Sequence, residues 1–453
     1  MLKYAAIADD LTGATTVGVL LARSGIRTAA LFSGEAVFRF REEHYSALCI
    51  STDSRAQQKQ EAYRNVRSVT EHLKERGVKH FSKRIDTTLR GGIGTEIDAM
   101  LSVLDEGAVA VVVPAMPQSR RIVVGGYSII DNIPLSRTSV SKDVKTPVTE
   151  SHVPDLLKEQ TSTRVGSIGL KSVLKGPEAV TADLLQAIRE GYRIIVCDAV
   201  TLEDIDVLAE SVLKLTNPVL AVDPGPFTTA LTLKREHRTS PVREEKALLS
   251  KEHLKTVLVV AGSATPVTRM QMEKLKGREN TRFVMVDPQK LIGDEKTRSS
   301  EKDRVKKEAQ EMLDGTRSPG ALILESSNGS NLNLNREDQK RGYLPGSCSV
   351  LINDAMADVA ASILEMYGED RIAGFYTTGG DTMESVCKRL GVEAIEMVDY
   401  VIPQADLGRF IGRYEGLPIV GKGGLTGNEH TACEIVDRIA LESHKRDIIE
   451  EKE

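Results

Sequence analysis

Residues 4–8 read YAAIA and run directly into residues 9–14, DDLTGA. Five apolar residues without inward and outward alternation stop at two acids. Ala14, Val17, Gly18 and Leu21 then follow at helical spacing, so the stretch spells a buried strand feeding a helix through a polar turn. Asp10 or Thr12 is placed to cap that helix. The same unit recurs as ALCI before STDSR, HFSKRI before DTTLRGG, VAVVV before PAMPQSRR, RIIVC before DAVT, and PVLAV before DPGP. The second half repeats it as VLVVA before GSATP, FVMV before DPQ, ALILE before SSNGS, AGFYTT before GGDT, and PIVG before KGGLTG. Buried strands alternating with helical patterns predict an α/β fold of mostly parallel sheets flanked by helices. In such sheets ligands collect at the carboxyl ends of the strands, where this chain keeps its glycines and polar residues.

The 453 residues are enough for two or three domains. Residues 233–256 are charge-rich and interrupted by Pro241, and a new strand begins at Val257. Two domains are therefore expected, residues 1–240 and 241–453, each with a mostly parallel sheet, with ligands at strand ends and in an interdomain cleft. Residues 292–318 hold helix formers such as VKKEAQEML and read as an exposed helix, whereas the tail ESHKRDIIEEKE reads as a fraying end. The net charge of -5 and an aromatic content of 4% with no Trp offer neither a positive field nor stacking platforms for nucleic acid. Five cysteines, none in a CxxC pair, indicate neither a disulfide framework nor a zinc site; they read as the reduced thiols of a cytoplasmic protein. Neither a signal peptide nor an uninterrupted apolar span is expected.

Among the motifs, residues 416–422, GLPIVGK, have P-loop spacing, but Gly423 stands where a metal-binding Ser or Thr is needed and LPIV looks like the strand itself. No GxGxxG follows a strand, and HExxH and GxSxG are absent, which removes dinucleotide, zinc-protease and α/β-hydrolase readings. More telling are three loops of the second half: Gly262, Ser263, Ala264 and Thr265; Gly379, Gly380, Asp381 and Thr382; and Lys422, Gly423, Gly424 and Gly427. Each suits a phosphate, through backbone N–H groups, a helix N-terminus or the lysine, and Asp381 could take a metal or cap its helix. An ordinary capped turn would look the same in any one of them; three together favour phosphate. The first half carries charges instead. Asp9 and Asp10 leave the first strand together, and Lys83, Arg84, Asp86, Thr87, Thr88 and Arg90 crowd the end of another. Ser54 with Arg55, and Arg120 after PAMPQS, repeat the theme. This half looks built for a small anionic polyol.

In order, IADDLTGA, KRIDTTLRG (83–91), PAMPQSRR (114–121), GSATPVTRMQ (262–271), GGDT (379–382) and KGG (422–424) resemble the motifs of the four-carbon acid sugar kinases. The resemblance covers nearly the whole chain. It implies a cytoplasmic enzyme with a sugar-acid-binding N-terminal domain and a nucleotide-binding C-terminal domain. The implied reaction uses ATP with Mg²⁺ to phosphorylate the terminal hydroxyl of D-erythronate or D-threonate; a 3-oxo-tetronate kinase or a sugar-acid sensor without turnover are the alternatives. By position, Asp9, Asp10, Arg55, Lys83, Asp86, Arg90 and Arg120 are implied to meet the sugar acid. Gly262, Ser263, Gly379, Gly380, Asp381, Thr382, Lys422, Gly423 and Gly424 are implied to meet ATP. Asp10 is favoured as the group accepting the hydroxyl proton, with Asp86 the alternative, and Asp381 is the candidate metal ligand. The partners expected are the sugar acid and ATP, with no nucleic acid or membrane, and a homodimer is left open. Departures from the family pattern include Ser119 where a Gly precedes the Arg, DPGPF at 223–227, and Gln404 in place of a Gly after Pro403.

Overall fold

The computed structural model describes residues 2–41, 44–143, 146–238, 255–262, 265–315, 318–326 and 332–450. The chain divides into two compact units, Met1–Arg243 and Glu244–Glu453, and the divide lies outside the described residues. Both units are α/β.

In the first unit the strands are β1 (Tyr4–Ala8), β2 (Thr28–Leu31), β3 (Ala47–Ser51), β4 (His80–Arg84), β5 (Val109–Val112), β6 (Arg121–Val124), β7 (Tyr127–Ile130), β8 (Ile133–Pro134), β9 (Val165–Ile168), β10 (Ile194–Cys197) and β11 (Val219–Asp223). Eight of them form one parallel sheet in the order β2-β3-β1-β4-β11-β5-β10-β9. The remaining three, β6-β7-β8, make a small antiparallel sheet. Every residue of β1, β3 and β5 is buried, because helices cover both faces of a parallel sheet. The apolar residues of β5 and β10 pack with Leu208, Val212 and Phe227 from the covering helices.

The second unit holds β12 (Thr256–Ala261), β13 (Thr281–Met285), β14 (Ala321–Glu325), β15 (Ile372–Thr378), β16 (Val392–Ile402), β17 (Ala405–Gly412) and β18 (Pro418–Lys422). Their order is β13-β14-β12-β15-β18-β17-β16, parallel as far as β18 and antiparallel beyond it. Two expectations settle here. The charged stretch forms the helix Glu295–Leu313, docked by Val305, Ala309 and Leu313. The tail, expected to fray, is instead helical from Thr431 to Glu450. Its Glu442 is buried, with Arg409 at 2.9 Å, Arg438 at 3.2 Å and Lys445 at 3.3 Å, so unwinding it would strand a buried charge. The helix Ser347–Arg371 is long and apolar enough to cross a membrane, yet most of its apolar window lies inside this unit as a core helix.

Candidate active site

Three adjacent parallel strands set the charged loops of the first unit side by side. Ala8 of β1 lies in register with Ser51 of β3 and with Arg84 of β4, so Asp9–Asp10, Thr52–Arg55 and Ile85–Arg90 emerge at one edge. Asp10 caps the helix Leu11–Arg23, accepting the Gly13 N–H at 2.7 Å. Gly13 bears no side chain because Arg84 lies there; a Cβ would come within 2.8 Å of the Arg84 Cζ.

Arg55 is the hub of the cluster. Its Nε and Nη2 donate to Asp9 at 2.8 and 3.0 Å, Nη1 pairs with Asp10 at 2.6 Å, and Asp86 lies 4.0 Å from Nη2. Asp86 also accepts from Arg90 Nε at 2.7 Å and from the Thr88 hydroxyl, while Arg90 Nη1 reaches Asp143 at 3.4 Å. Behind them Lys83 and Glu96 form a buried pair at 2.6 Å, with the Ser54 hydroxyl donating to Glu96 at 2.9 Å. Burial opposes the charge on Asp9 and Asp86. The cations outweigh it, Arg55 with Lys83 at Asp9 and Arg55 with Arg90 at Asp86, so both carboxyls sit below their ordinary range. Glu96 goes the other way: burial pushes it up, against Lys83 and with the help of the Asp9 charge.

Of the expected residues, Asp9, Asp10, Arg55, Lys83, Asp86 and Arg90 converge. Arg120 does not: its side chain is 81% exposed, its φ of 54° is left-handed, and its partner is the surface Asp131 at 3.2 Å. The next residue, Arg121, turns inward, where burial lowers the guanidinium and the Asp86 charge opposes that shift. Its Nε is buried and, among the described residues, has no hydrogen-bond partner. The left-handed turn at Arg120 decides which arginine faces the cluster, and a single residue in that conformation carries no reliable sequence signal. A cavity of about 370 Å³ adjoins the cluster, lined by Ser54, Arg55, Gln57, Gly91, Thr95 and Gln160 among others.

In the second unit the glycine loops follow β12, β15 and β18. Gly379 (φ 98°) starts the helix Gly380–Leu390 with no side-chain cap, which leaves first-turn N–H groups to an anion. Two loop amides are already committed: Gly379 N–H to Lys422 O at 2.8 Å ties the β15 and β18 loops together, and Gly423 N–H to Gln404 O at 3.1 Å ties the β18 loop to the turn between β16 and β17. Gln404 has a left-handed φ of 68° and accepts the Thr426 hydroxyl at 2.9 Å, so it fills a glycine-type position and braces the loop. Thr382 Oγ1 donates to Asn353 Oδ1 at 3.1 Å, and both crowd Gly262, where a Cβ would lie 2.9 Å from Asn353 Oδ1. Lys422 is buried and, among the described residues, bonds only carbonyl oxygens, Gly423 at 2.8 Å and Thr426 at 3.3 Å; burial lowers it to about 8. The P-loop-like GLPIVGK is the strand β18 with its approach. Gly424 accepts from Thr268 at 3.2 Å, and Asp381 is exposed on the first helical turn. Ser263 lies outside the described residues.

Residues 4–231 match the family described as the sugar-binding N-terminal domain, and residues 258–432 match the nucleotide-binding C-terminal domain. A D-erythronate kinase of Heliobacterium modesticaldum is 39% identical over 433 residues, 95% of each chain. The chain belongs to the four-carbon acid sugar kinase family. A D-threonate kinase of Salmonella typhimurium is 27% identical over 96% of this chain and 97% of its own. A solved structure from Salmonella typhimurium LT2 shares the fold with a TM-score of 0.78 at 24% identity, covering 96% of this chain and 98% of that one.

Several residues of this kinase were missed in the sequence. Asn353 comes from the core helix and has no glycine or charge motif around it. Gln271, within the GSATPVTRMQ stretch, holds the KGG loop: its Nε2 donates to Thr426 O and Asn428 O, each at 2.9 Å, beside Thr265, a residue the sequence did point to, which donates to Gly424 O. Glu96 and Arg121 were masked by ordinary surroundings, a helix interior and the second of two adjacent arginines. The DPGPF departure forms a self-contained turn at the end of β11, where the buried Asp223 accepts the N–H groups of Gly225 at 2.8 Å and Phe227 at 2.7 Å.

Proposed function

We propose that the protein transfers the γ-phosphoryl group of ATP to the terminal hydroxyl of D-erythronate or D-threonate, giving the 4-phosphate, with residues 1–240 holding the acid and residues 241–453 the nucleotide. The observation that carries this reading is the charge arrangement of the first unit. Its carboxylates are matched by arginines already bound to them, while Arg121 Nε stays buried beside Asp86 with no acceptor among the described residues. A buried guanidinium donor without a partner is costly, and a substrate carboxylate would satisfy it. The cavity beside Ser54 and Arg55 has room for a four-carbon chain and its hydroxyls.

Asp10 is the carboxylate we assign to accept the hydroxyl proton. Its side chain keeps 26% exposure, against 9% for Asp86, so it is the easier of the two for a hydroxyl to reach. Catalysis then rests on holding hydroxyl and γ-phosphorus in line and on offsetting phosphate charge. Lys422 and the N–H groups of Gly380 and Asp381 supply that offset in the second unit, and the narrow space at Gly262 leaves the phosphates close to backbone. Among the described residues no three His, Cys, Asp or Glu side chains gather to hold a metal. That suits Mg²⁺ carried mainly by phosphate oxygens, with Asp381 the carboxylate we assign to it; bound there it would offset charge on the β- and γ-phosphates. All five cysteines are free and buried, in keeping with a reducing cytoplasm.

An ADP-release assay with ATP, Mg²⁺ and D-erythronate, D-threonate, their enantiomers and 3-oxo-tetronate tests the reading. Turnover is expected with one of the two D-acids. A preference for the 3-oxo acid would move the assignment within the family. No ADP release across the panel, with ligand-induced thermal stabilisation kept, would replace the enzyme by a sensor.

A further inference from the structure

The amino ends of β4 and β11, at the opposite edge of the first unit's sheet from the charged loops, border a cavity of about 500 Å³. Its walls are largely apolar, with Val78, Leu104 and Leu215 among them, and Lys74, Lys79, His80 and Arg235 supply the basic groups. Arg235 is partly buried and, among the described residues, has no hydrogen bond and no ion pair. Burial lowers its guanidinium, and Tyr4 and His80 lie within reach of its charge. Neither neutralises it. The Tyr4 hydroxyl is turned to Glu236 at 2.7 Å, and His80 is kept neutral at physiological pH by burial and by the Arg235 charge, its value lowered to about 4. The nearby acids are also taken, Glu236 by Lys3 at 3.0 Å and Asp105 by Lys74 at 2.9 Å. Lys79 stands exposed at the rim and, among the described residues, has no ion pair either.

A guanidinium withdrawn from water and left without a counter-charge destabilises the fold unless something answers it. The planar fork of Arg matches a carboxylate in two-pronged fashion. An apolar cleft of this size with few, convergent polar groups is the usual shape of a small-molecule site. We propose that this cavity binds a small monocarboxylate with an apolar body, the carboxylate on Arg235 and Lys79 and the hydrocarbon against Val78, Leu104 and Leu215. It is not the sugar-acid site: β4 carries His80 at one end and Lys83 and Arg84 at the other, and five residues of strand span roughly 13–17 Å.

Titration calorimetry of the full chain with hexanoate and with benzoate tests this, with inorganic phosphate as a charge-only control and saturating D-erythronate as competitor. Saturable binding of both carboxylates is expected, at least tenfold tighter than phosphate and untouched by D-erythronate. Arg235→Gln should weaken it tenfold or more. Lys79→Glu, an exposed change with no threat to folding, should weaken it several-fold, and Leu215→Trp, which fills the cavity without altering its charge, should abolish it. Sugar-acid turnover should be unchanged in all three variants. Absence of saturable binding, equal affinity for phosphate, competition by D-erythronate, or affinity indifferent to Lys79→Glu and Arg235→Gln would each overturn the proposal.

Discussion

Lys83 and Lys422 stand at the carboxyl ends of strands in the two units, and each side chain is almost wholly buried, with 1% and 2% exposure. Their company differs. Lys83 meets the Glu96 carboxylate at 2.6 Å, whereas Lys422 meets only carbonyl oxygens and no carboxylate among the described residues. At Lys83 the charge is balanced inside the fold, and the lysine helps to hold the acid-bearing loops in place. At Lys422 the positive charge has no internal counter-ion, and burial makes it easier to lose. One lysine is part of the scaffold; the other awaits a ligand that brings its own negative charge.

The largest expected effect belongs to the first unit's surface-facing acid. Asp10→Asn should lower kcat by about 10²–10⁴-fold, the usual worth of a positioned proton acceptor, while leaving ATP affinity within about twofold. Steady-state kinetics and nucleotide titration check both halves. If Asp86→Asn produces that loss and Asp10→Asn does not, the proton acceptor is Asp86. Next comes Lys83→Met, which strands Glu96. The expected loss of stability is about 3–5 kcal/mol, read by denaturant unfolding, and adding Glu96→Leu should restore much of it. Lys422→Met carries no such penalty. Its stability should hold or rise, yet kcat/KM for ATP should fall about 100-fold. A comparable stability loss in the two lysine variants would erase the distinction between the units.

Much of this architecture was legible because its signals are local. YAAIA–DDLTGA specified a strand, a turn and a capped helix, and AGFYTT–GGDT specified another strand and the glycine turn that follows it. Short or antiparallel pieces were not legible: VGSI of β9 is a four-residue strand interrupted by its own Gly166, and β16 with β17 lacks the tight-turn residues that announce a hairpin. At the site, charges clustered in sequence proved clustered in space, since neighbouring parallel strands deliver their ends to one edge. Glu96, Arg121 and Asn353 escaped notice because their meaning comes from a partner far along the chain or from a left-handed neighbour. The fraying expected of the tail failed for the same reason: Arg409 on β17 makes Glu442 a buried anchor.

The burial of Lys422 also sets a pH dependence. Its ordinary value of 10.5 falls to about 8 in the fold, so between those limits the unfolded chain holds a proton the native one has released. Stability attributable to this group therefore rises with pH from about 8 to 10.5, the reverse of a lysine held by a carboxylate. Phosphate binding needs the charged form, so kcat/KM for ATP should decline about tenfold per pH unit above 8, while kcat stays flatter because bound phosphates restore the charge. A kcat/KM profile that is level to pH 10 would mean that the free lysine is not depressed, and the contrast with Lys83 would lose its electrostatic half.

The smallest effects compare a glycine from each unit. At Gly262 an added methyl would crowd Thr382 and Asn353; rotating the Thr382 hydroxyl and shifting the Asn353 amide relieve it, at the loss of one hydrogen bond worth about 0.5–1.5 kcal/mol. Gly262→Ala should therefore raise KM for ATP by roughly threefold to tenfold, and Thr382→Ala in the same background should recover part of the loss. At Gly13 the intruded group is the Arg84 guanidinium, itself 3.4 Å from Asp10. Gly13→Ala should act on the sugar-acid side instead, raising KM for the acid and leaving KM for ATP alone. Kinetics with each substrate varied in turn separate the two. If both variants moved the same constant, the division of sugar acid and nucleotide between the two sets of loops would be wrong, because each methyl disturbs only its own.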